Sequence, residues 1–235
     1  MDILSDSQVS NILLALAGGV VPPILWLLFW LQEDYKRPEP KGMIVLAFVY
    51  GGLSTAIALP LELGALSYIT SSTMALVAIA TIEEIIKYVA AHFAAFKRPA
   101  YDEPIDALVY MITASLGFAA VENTLYLITA LSRETQFVSI LVALQRFVSP
   151  TVLHIVSSAI VGLLLAFSFY KRRSIRREYL AIGLILAIAL HAIFNYFILN
   201  GNGTDYFSLV VWMGALIIIL LFEKVKYIQR KFVPR

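Results

Sequence analysis

The sequence has no cysteine and little charge. Without cysteine the chain can form no disulfide, offer no thiolate to a metal and use no thiol nucleophile. Charged residues make up 14% of its 235 positions, against roughly 25% in soluble domains, while 60% are hydrophobic. No polar stretch exceeds about a dozen residues, so no soluble domain fits between the apolar segments. The net charge of +2 carries little information, because the basic residues are clustered. Nothing in this composition points to nucleic acid. The leader, Met1 to Ser10, has Asp2 and Asp6 but no Lys or Arg, and the apolar run continues to Leu31. That run is too long for a typical signal core and is expected to be a retained first span.

What is present is a series of apolar segments long enough to cross a bilayer, which takes roughly 20 residues each. Hydropathy predicts spans near 11–31, 43–61, 72–96, 105–131, 137–170, 179–199 and 206–222. The expected fold is therefore all-α: a polytopic membrane bundle of about seven helices, forming one domain over 1–235. The fifth segment is overlong and contains Pro150. Proline removes a backbone donor and disfavours helix at the residue before it, so a short segment around Phe137–Ser149 should kink into the span proper from Thr151. Lys and Arg counts alternate along the chain. Loop 32–41 has three, 62–71 none, 97–104 two, 132–136 one, 171–178 five, 200–205 none and the tail from Glu223 five. The positive-inside rule then predicts an external N-terminus and a cytoplasmic C-terminus. No internal repeat is visible, so an inverted-repeat transporter gains no support.

Several polar residues sit where a bilayer penalises them. The third span holds Glu83, Glu84 and Lys87. Each charge at the centre of a span costs roughly 2.5–3.5 kcal/mol, while each Ile, Leu or Val returns only about 0.3–0.6 kcal/mol. This helix must face the bundle interior. Lys87 lies three and four residues after the two glutamates, within reach of either. A buried ion pair that fixes packing accounts for one carboxylate and leaves the second over, the surplus that acid–base chemistry uses. The fourth span carries Glu122 and Asn123, which alone would pass as interhelical hydrogen-bonding residues. The fifth carries His154; the sixth carries His191, with Asn195 one turn further on the same face. His92, near the end of the third span, needs no special explanation. At 1.5 Å rise per residue, Glu83 and Glu84 lie roughly 18–20 Å from the cytoplasmic end of their span, Glu122 about 25 Å, His154 about 24 Å and His191 about 18 Å. Four helices thus place costly residues in one slab, which predicts a shared polar site.

These residues also form an ordered set of motifs. Glu83-Glu84-x-x-Lys87 is followed by Asp106 leading to Gly117-Phe118-x-x-x-Glu122-Asn123, then Arg146-x-x-x-Pro150-x-x-x-His154, then His191-x-x-x-Asn195. The set resembles the PrsW family, grouped with the CAAX-prenyl and bacteriocin-processing intramembrane peptidases. The segment from Trp30 through Asp34 to Glu39 and Pro40 resembles that family's loop after the first span. The resemblance implies an integral membrane protein of a prokaryotic plasma membrane that cleaves membrane-embedded or membrane-proximal proteins. In the founding member the substrate is a single-span anti-sigma factor.

Peptide hydrolysis needs a water, a base to activate it and a donor for the oxyanion. With no cysteine, and no serine expected next to these histidines at helical spacing, an activated water is preferred to a protein nucleophile. By resemblance, Glu83 is the general base. Glu84 would hold a second water or orient a histidine, His154 and His191 would position the water or bind a metal, and Asn195 would donate to the oxyanion. Lys87, Glu122, Asn123 and Arg146 are expected to form a supporting shell. Two histidines, a carboxylate and a water also complete a catalytic zinc set, but no His-Glu-x-x-His helix is present. The metal-free reading is preferred, with a single Zn²⁺ at His154 and His191 as the alternative. A proton- or cation-coupled transporter is a second class, since intramembrane Glu, Lys and His also form relays. A non-catalytic relative that binds membrane proteins is a third.

Overall fold

The computed structural model describes residues 6–32, 37–200 and 204–232. Residues 33–36, including Asp34 of the expected motif loop, lie outside them. The described chain is helical throughout: α1 (Asp6–Leu31), α2 (Lys41–Tyr68), α3 (Ser72–Ala91), α4 (Asp106–Arg133), α5 (Gln136–Val148), α6 (Pro150–Phe167), α7 (Arg173–Asn200) and α8 (Thr204–Phe232). A π-helical turn, His92–Phe96, prolongs α3. Six stretches are long and apolar enough to cross a membrane: α1, α2, α4, α5 with α6, α7 and α8. At 20 residues α3 is long enough as well, but Glu83, Glu84 and Lys87 lower its apolarity. The membrane bundle expected from hydropathy is therefore what the chain forms.

The central element is α4. Every residue from Glu103 to Ala120 is buried, as expected of a helix apolar on all sides, and α1, α2 and α6 pack around it. Between membrane helices there is little hydrophobic drive, so close backbone contact through small residues does the packing. At the crossing of α2 and α4, a Cβ on Gly51 would lie 1.9 Å from the Ala114 carbonyl oxygen, and one on Gly117 would lie 1.9 Å from that of Phe48. Only glycine permits this approach, which fixes the height at which Glu122 leaves α4.

The expected break in the fifth segment occurs at Ser149, with Pro150 in the first turn of α6. An interrupted helix leaves carbonyls unpaired, and a bilayer offers them no water. Here the side chains of neighbouring helices take them. Trp26 Nε1 donates to the Phe147 carbonyl at 3.3 Å, Trp212 Nε1 to that of Val148 at 2.9 Å and Thr151 Oγ1 to that of Arg146 at 2.8 Å. The break holds Arg146, the end of α5, against α4.

Helices α1, α2, α7 and α8 all run past their apolar windows. α7 begins in the basic loop at Arg173, and α2 runs through Pro60 to Tyr68. The second difference places Glu62 inside a helix rather than in the loop that hydropathy assigned to it.

Candidate active site

Helices α3, α4, α6 and α7 bring the costly residues together. On α3, Glu83, Glu84 and Lys87 are all buried, as are His154 on α6 and His191 on α7. The two imidazole rings stand 5.3 Å apart, nearly perpendicular. Lys87 lies at the middle. Its Nζ is 2.8 Å from Glu84 Oε1, 3.3 Å from Glu83 Oε2 and 2.7 Å from His154 Nδ1, with the Phe118 ring 4.8 Å away. An ammonium donates three hydrogen bonds and accepts none, so His154 Nδ1 receives the lysine proton with its lone pair.

That contact sets the tautomer. The other nitrogen of His154, Nε2, then carries hydrogen and donates to Glu122 Oε2 at 2.7 Å. His191 is held likewise: Nδ1 donates to Glu84 Oε1 at 2.7 Å, turning the bare Nε2 towards Glu83 Oε2 at 3.8 Å. Each histidine is thus oriented by its own carboxylate, the arrangement that fixes a ring and raises its basicity. The expectation that Glu84 orients a histidine describes its position.

The supporting residues form a second connected layer. Arg146 spans Glu122 Oε1 at 2.8 Å and Asn123 Oδ1 at 2.6 Å, and Asn123 Nδ2 donates to Thr151 Oγ1 at 3.0 Å. Asn195 is half-buried one turn beyond His191, and its amide makes no hydrogen bond to another described residue. The Glu122 side chain is 34% exposed, so the cluster's open edge lies there.

Two further residues escape the sequence reading. Ser157 stands three residues after His154 and does share its helical face. Its Oγ donates to Glu84 Oε1 at 3.0 Å and to the His154 carbonyl at 3.2 Å. The hydroxyl serves a carboxylate instead of meeting a histidine nitrogen, so it is a donor and not an activated nucleophile. The spacing from His154 was the available signal. Glu62 on α2 is half-buried and lies in the field of Glu83, Glu122, Lys87 and His191; it follows directly on the apolar window that ended at 61. Asp106, part of the motif series, is elsewhere. Its Oδ2 accepts the backbone N–H groups of Asp102 and Glu103 at 2.9 and 2.7 Å, folding the chain into the start of α4.

Glu83 Oε2 and Glu84 Oε2 are both buried with no hydrogen-bond partner among the described residues. That of Glu83 shares Lys87 at 3.3 Å and also faces His191 Nε2 at 3.8 Å and His154 Nδ1 at 3.9 Å. One ligand atom from each of Glu83, His154 and His191 falls within 4.8 Å of the others. Donor types, spacing and the carboxylates behind both histidines fit a zinc ion. For His154 to take part, its Nδ1 must exchange the Lys87 ammonium for the metal.

The family model described as PrsW family intramembrane metalloprotease matches residues 39–222. A protein named Protease PrsW from Geobacillus kaustophilus is 28% identical over 208 residues, covering 86% of this chain and 88% of its own. One of the same name from Oceanobacillus iheyensis is 29% identical over 222 residues, covering 90% and 95%, and that of Bacillus subtilis is 24% identical, covering 83% and 87%. No solved structure matches the chain. A match that runs from the loop before α2 into α8, over a bundle built around buried carboxylates and histidines, makes this chain an integral peptidase of the prokaryotic plasma membrane belonging to the PrsW family.

Proposed function

We propose that the protein hydrolyses a peptide bond of a membrane-embedded or membrane-proximal protein with a water activated by Glu83. The observation that carries this reading is Glu83 Oε2, a buried carboxylate oxygen with no hydrogen-bond partner among the described residues that faces two histidines and has Lys87 3.3 Å away. Glu83 takes one proton from the water, and the oxygen adds to the scissile carbonyl carbon. The oxyanion gains hydrogen bonds from the free amide of Asn195 and charge stabilisation from Lys87. The proton held by Glu83 then passes to the leaving nitrogen as the C–N bond breaks, giving a carboxylic acid and an amine, which exchange the remaining water proton to leave as carboxylate and ammonium. His191 Nε2 holds the water in line through its lone pair, and Glu84 keeps that ring turned.

If a zinc ion is bound, Glu83, His154 and His191 hold it and it supplies Lewis acidity to the water and the carbonyl. The metal-free route is preferred because Lys87 already occupies the His154 Nδ1 lone pair and already places positive charge beside Glu83. The CAAX-type resemblance points the same way. Substrates are single-span proteins, of which membrane-bound regulators such as anti-sigma factors are one class.

The test is co-reconstitution with tagged single-span substrates, comparing wild type with Glu83→Gln. The amide preserves volume and removes the base. Cleavage should fall by about 10²–10⁴-fold with the melting temperature retained. Near-normal cleavage by a folded Glu83→Gln protein removes Glu83 from the role.

A further inference from the structure

Where α3 and α7 end on the basic face of the bundle, the structure contains a second cavity, of about 400 Å³. One wall is aromatic. Tyr88, His92 and Phe96 follow one another along the end of α3, and Phe96 stacks on Tyr101 of the following loop with ring centroids 4.7 Å apart. The π-helical turn His92–Phe96 shapes this wall. Such widened turns interrupt the regular helix and recur at functional positions. The other wall is cationic: Lys171, Arg173, Arg176 and Arg177, from the junction of α6 and α7. Leu165 and Leu180 complete an apolar floor on the membrane side.

The charge in this cavity is unbalanced. None of its four cations has a carboxylate within ion-pairing distance among the described residues. Of the acids in the flanking segments, Glu103 pairs with Arg37, Asp106 holds backbone N–H groups, and neither Asp102 nor Glu178 forms an ion pair with these cations. Arg176 instead lies 5.6 Å from the Phe169 ring, and Lys171 lies 5.9 Å from that of Tyr179. The Tyr101 hydroxyl, which is buried, lies against the Arg176 side chain, so two donors converge on one place. Burial pushes its pKa up to about 12, so it remains a donor at neutral pH. Converging donors, unpaired guanidinium groups and an apolar floor at a helix end are the chemistry of a phosphate ester attached to a lipid.

We propose that this cavity binds the phosphodiester headgroup of an anionic phospholipid, the guanidinium groups of Arg173 and Arg176 holding the phosphate and the acyl chains leaving past Leu165 and Leu180. The site lies outside the Glu83 cluster and does not depend on how that cluster works. A free phosphate ester shares the headgroup chemistry but makes no use of the apolar floor.

Native mass spectrometry of the full-length protein in neutral detergent tests this, with phosphatidylglycerol, phosphatidylcholine and inorganic phosphate as separate probes. Wild type should retain phosphatidylglycerol over phosphatidylcholine. The Arg173→Gln/Arg176→Gln variant should bind it more than about tenfold more weakly, since each basic residue near an anionic lipid contributes about fivefold. The Lys97→Gln/Arg98→Gln variant removes the same charge from the same face outside the cavity and should stay within about twofold of wild type. If the first variant melts early, Lys171→Gln/Arg177→Gln replaces it. Equal loss in cavity and control variants would show attraction to surface charge alone and overturn the proposal. Saturable binding of inorganic phosphate without preference for phosphatidylglycerol would also overturn it, assigning the cavity to a soluble ester.

Discussion

Carboxylates gather at two depths in this bundle, with opposite consequences. At the start of α4 the cluster is tied down. Tyr110 donates its hydroxyl to Glu39, Arg37 pairs with Glu103, and Asp106 holds two backbone N–H groups. Burial raises the Glu39 pKa above the usual carboxylate range, but its oxygens have settled partners. In mid-membrane, Glu84 and Glu122 each bond to a histidine and pair with a cation. Glu83 shares Lys87 at 3.3 Å but makes no hydrogen bond to either histidine. Glu84 and Asp106 also keep one buried oxygen without a hydrogen-bond partner, but that of Glu83 is the one that faces both His154 and His191, where it can accept a proton. The contrast separates residues that build the site from the residue expected to react in it.

Lys87→Met gives the largest expected effect on folding. It strands Glu84 and Glu83 in a dry interior, and breaking a buried pair by removing one partner costs about 3–5 kcal/mol. Stability and cleavage should fall together, in contrast to Glu83→Gln, which should lose cleavage alone. Thermal unfolding in detergent reads the difference. A fully stable Lys87→Met protein would show that the carboxylates are not held by this lysine. At the other cluster, Tyr110→Phe removes one hydrogen bond to Glu39 and should cost about 0.5–1.5 kcal/mol while cleavage stays within about twofold. A cleavage loss as large as that of Glu83→Gln would merge the two clusters into one working unit.

Much of this was legible in the sequence because a bilayer penalises misplaced polarity. The spans follow from hydropathy, the break before α6 from Pro150, and the convergence of Glu83, His154 and His191 from their common depth. Glu62 was lost because the apolar window ended at 61, although the helix continues to Tyr68. The expectation that no serine lies at helical spacing from the histidines was wrong: Ser157, three residues after His154, shares its face and bonds to Glu84. The π-helical turn at His92 has no composition of its own, so an interfacial histidine concealed a cavity wall. Nor could spacing show which nitrogen of each histidine faces inward, since that depends on a carboxylate from another helix.

The smallest expected effect is that of removing metal. Zinc in a catalytic site takes three protein ligands and leaves one position for water. Glu83 Oε2, with Lys87 at 3.3 Å, and His191 Nε2 face the centre, but His154 Nδ1 accepts from Lys87 at 2.7 Å. Those two donors are one short of the set, and the third is gained only by displacing an ammonium that also neutralises Glu83 and Glu84. Cleavage by purified protein should therefore survive prolonged chelation, and its metal content should be well below one equivalent. Elemental analysis and cleavage rate, followed together through chelation, decide the matter. Stoichiometric zinc lost in step with activity, and activity restored by zinc, would overturn the metal-free route and place Lys87 outside the working site. The contrast between the carboxylates would then change its meaning, because the Glu83 oxygen that faces both histidines would be a ligand and the base would have to be sought at Glu84 or Glu62.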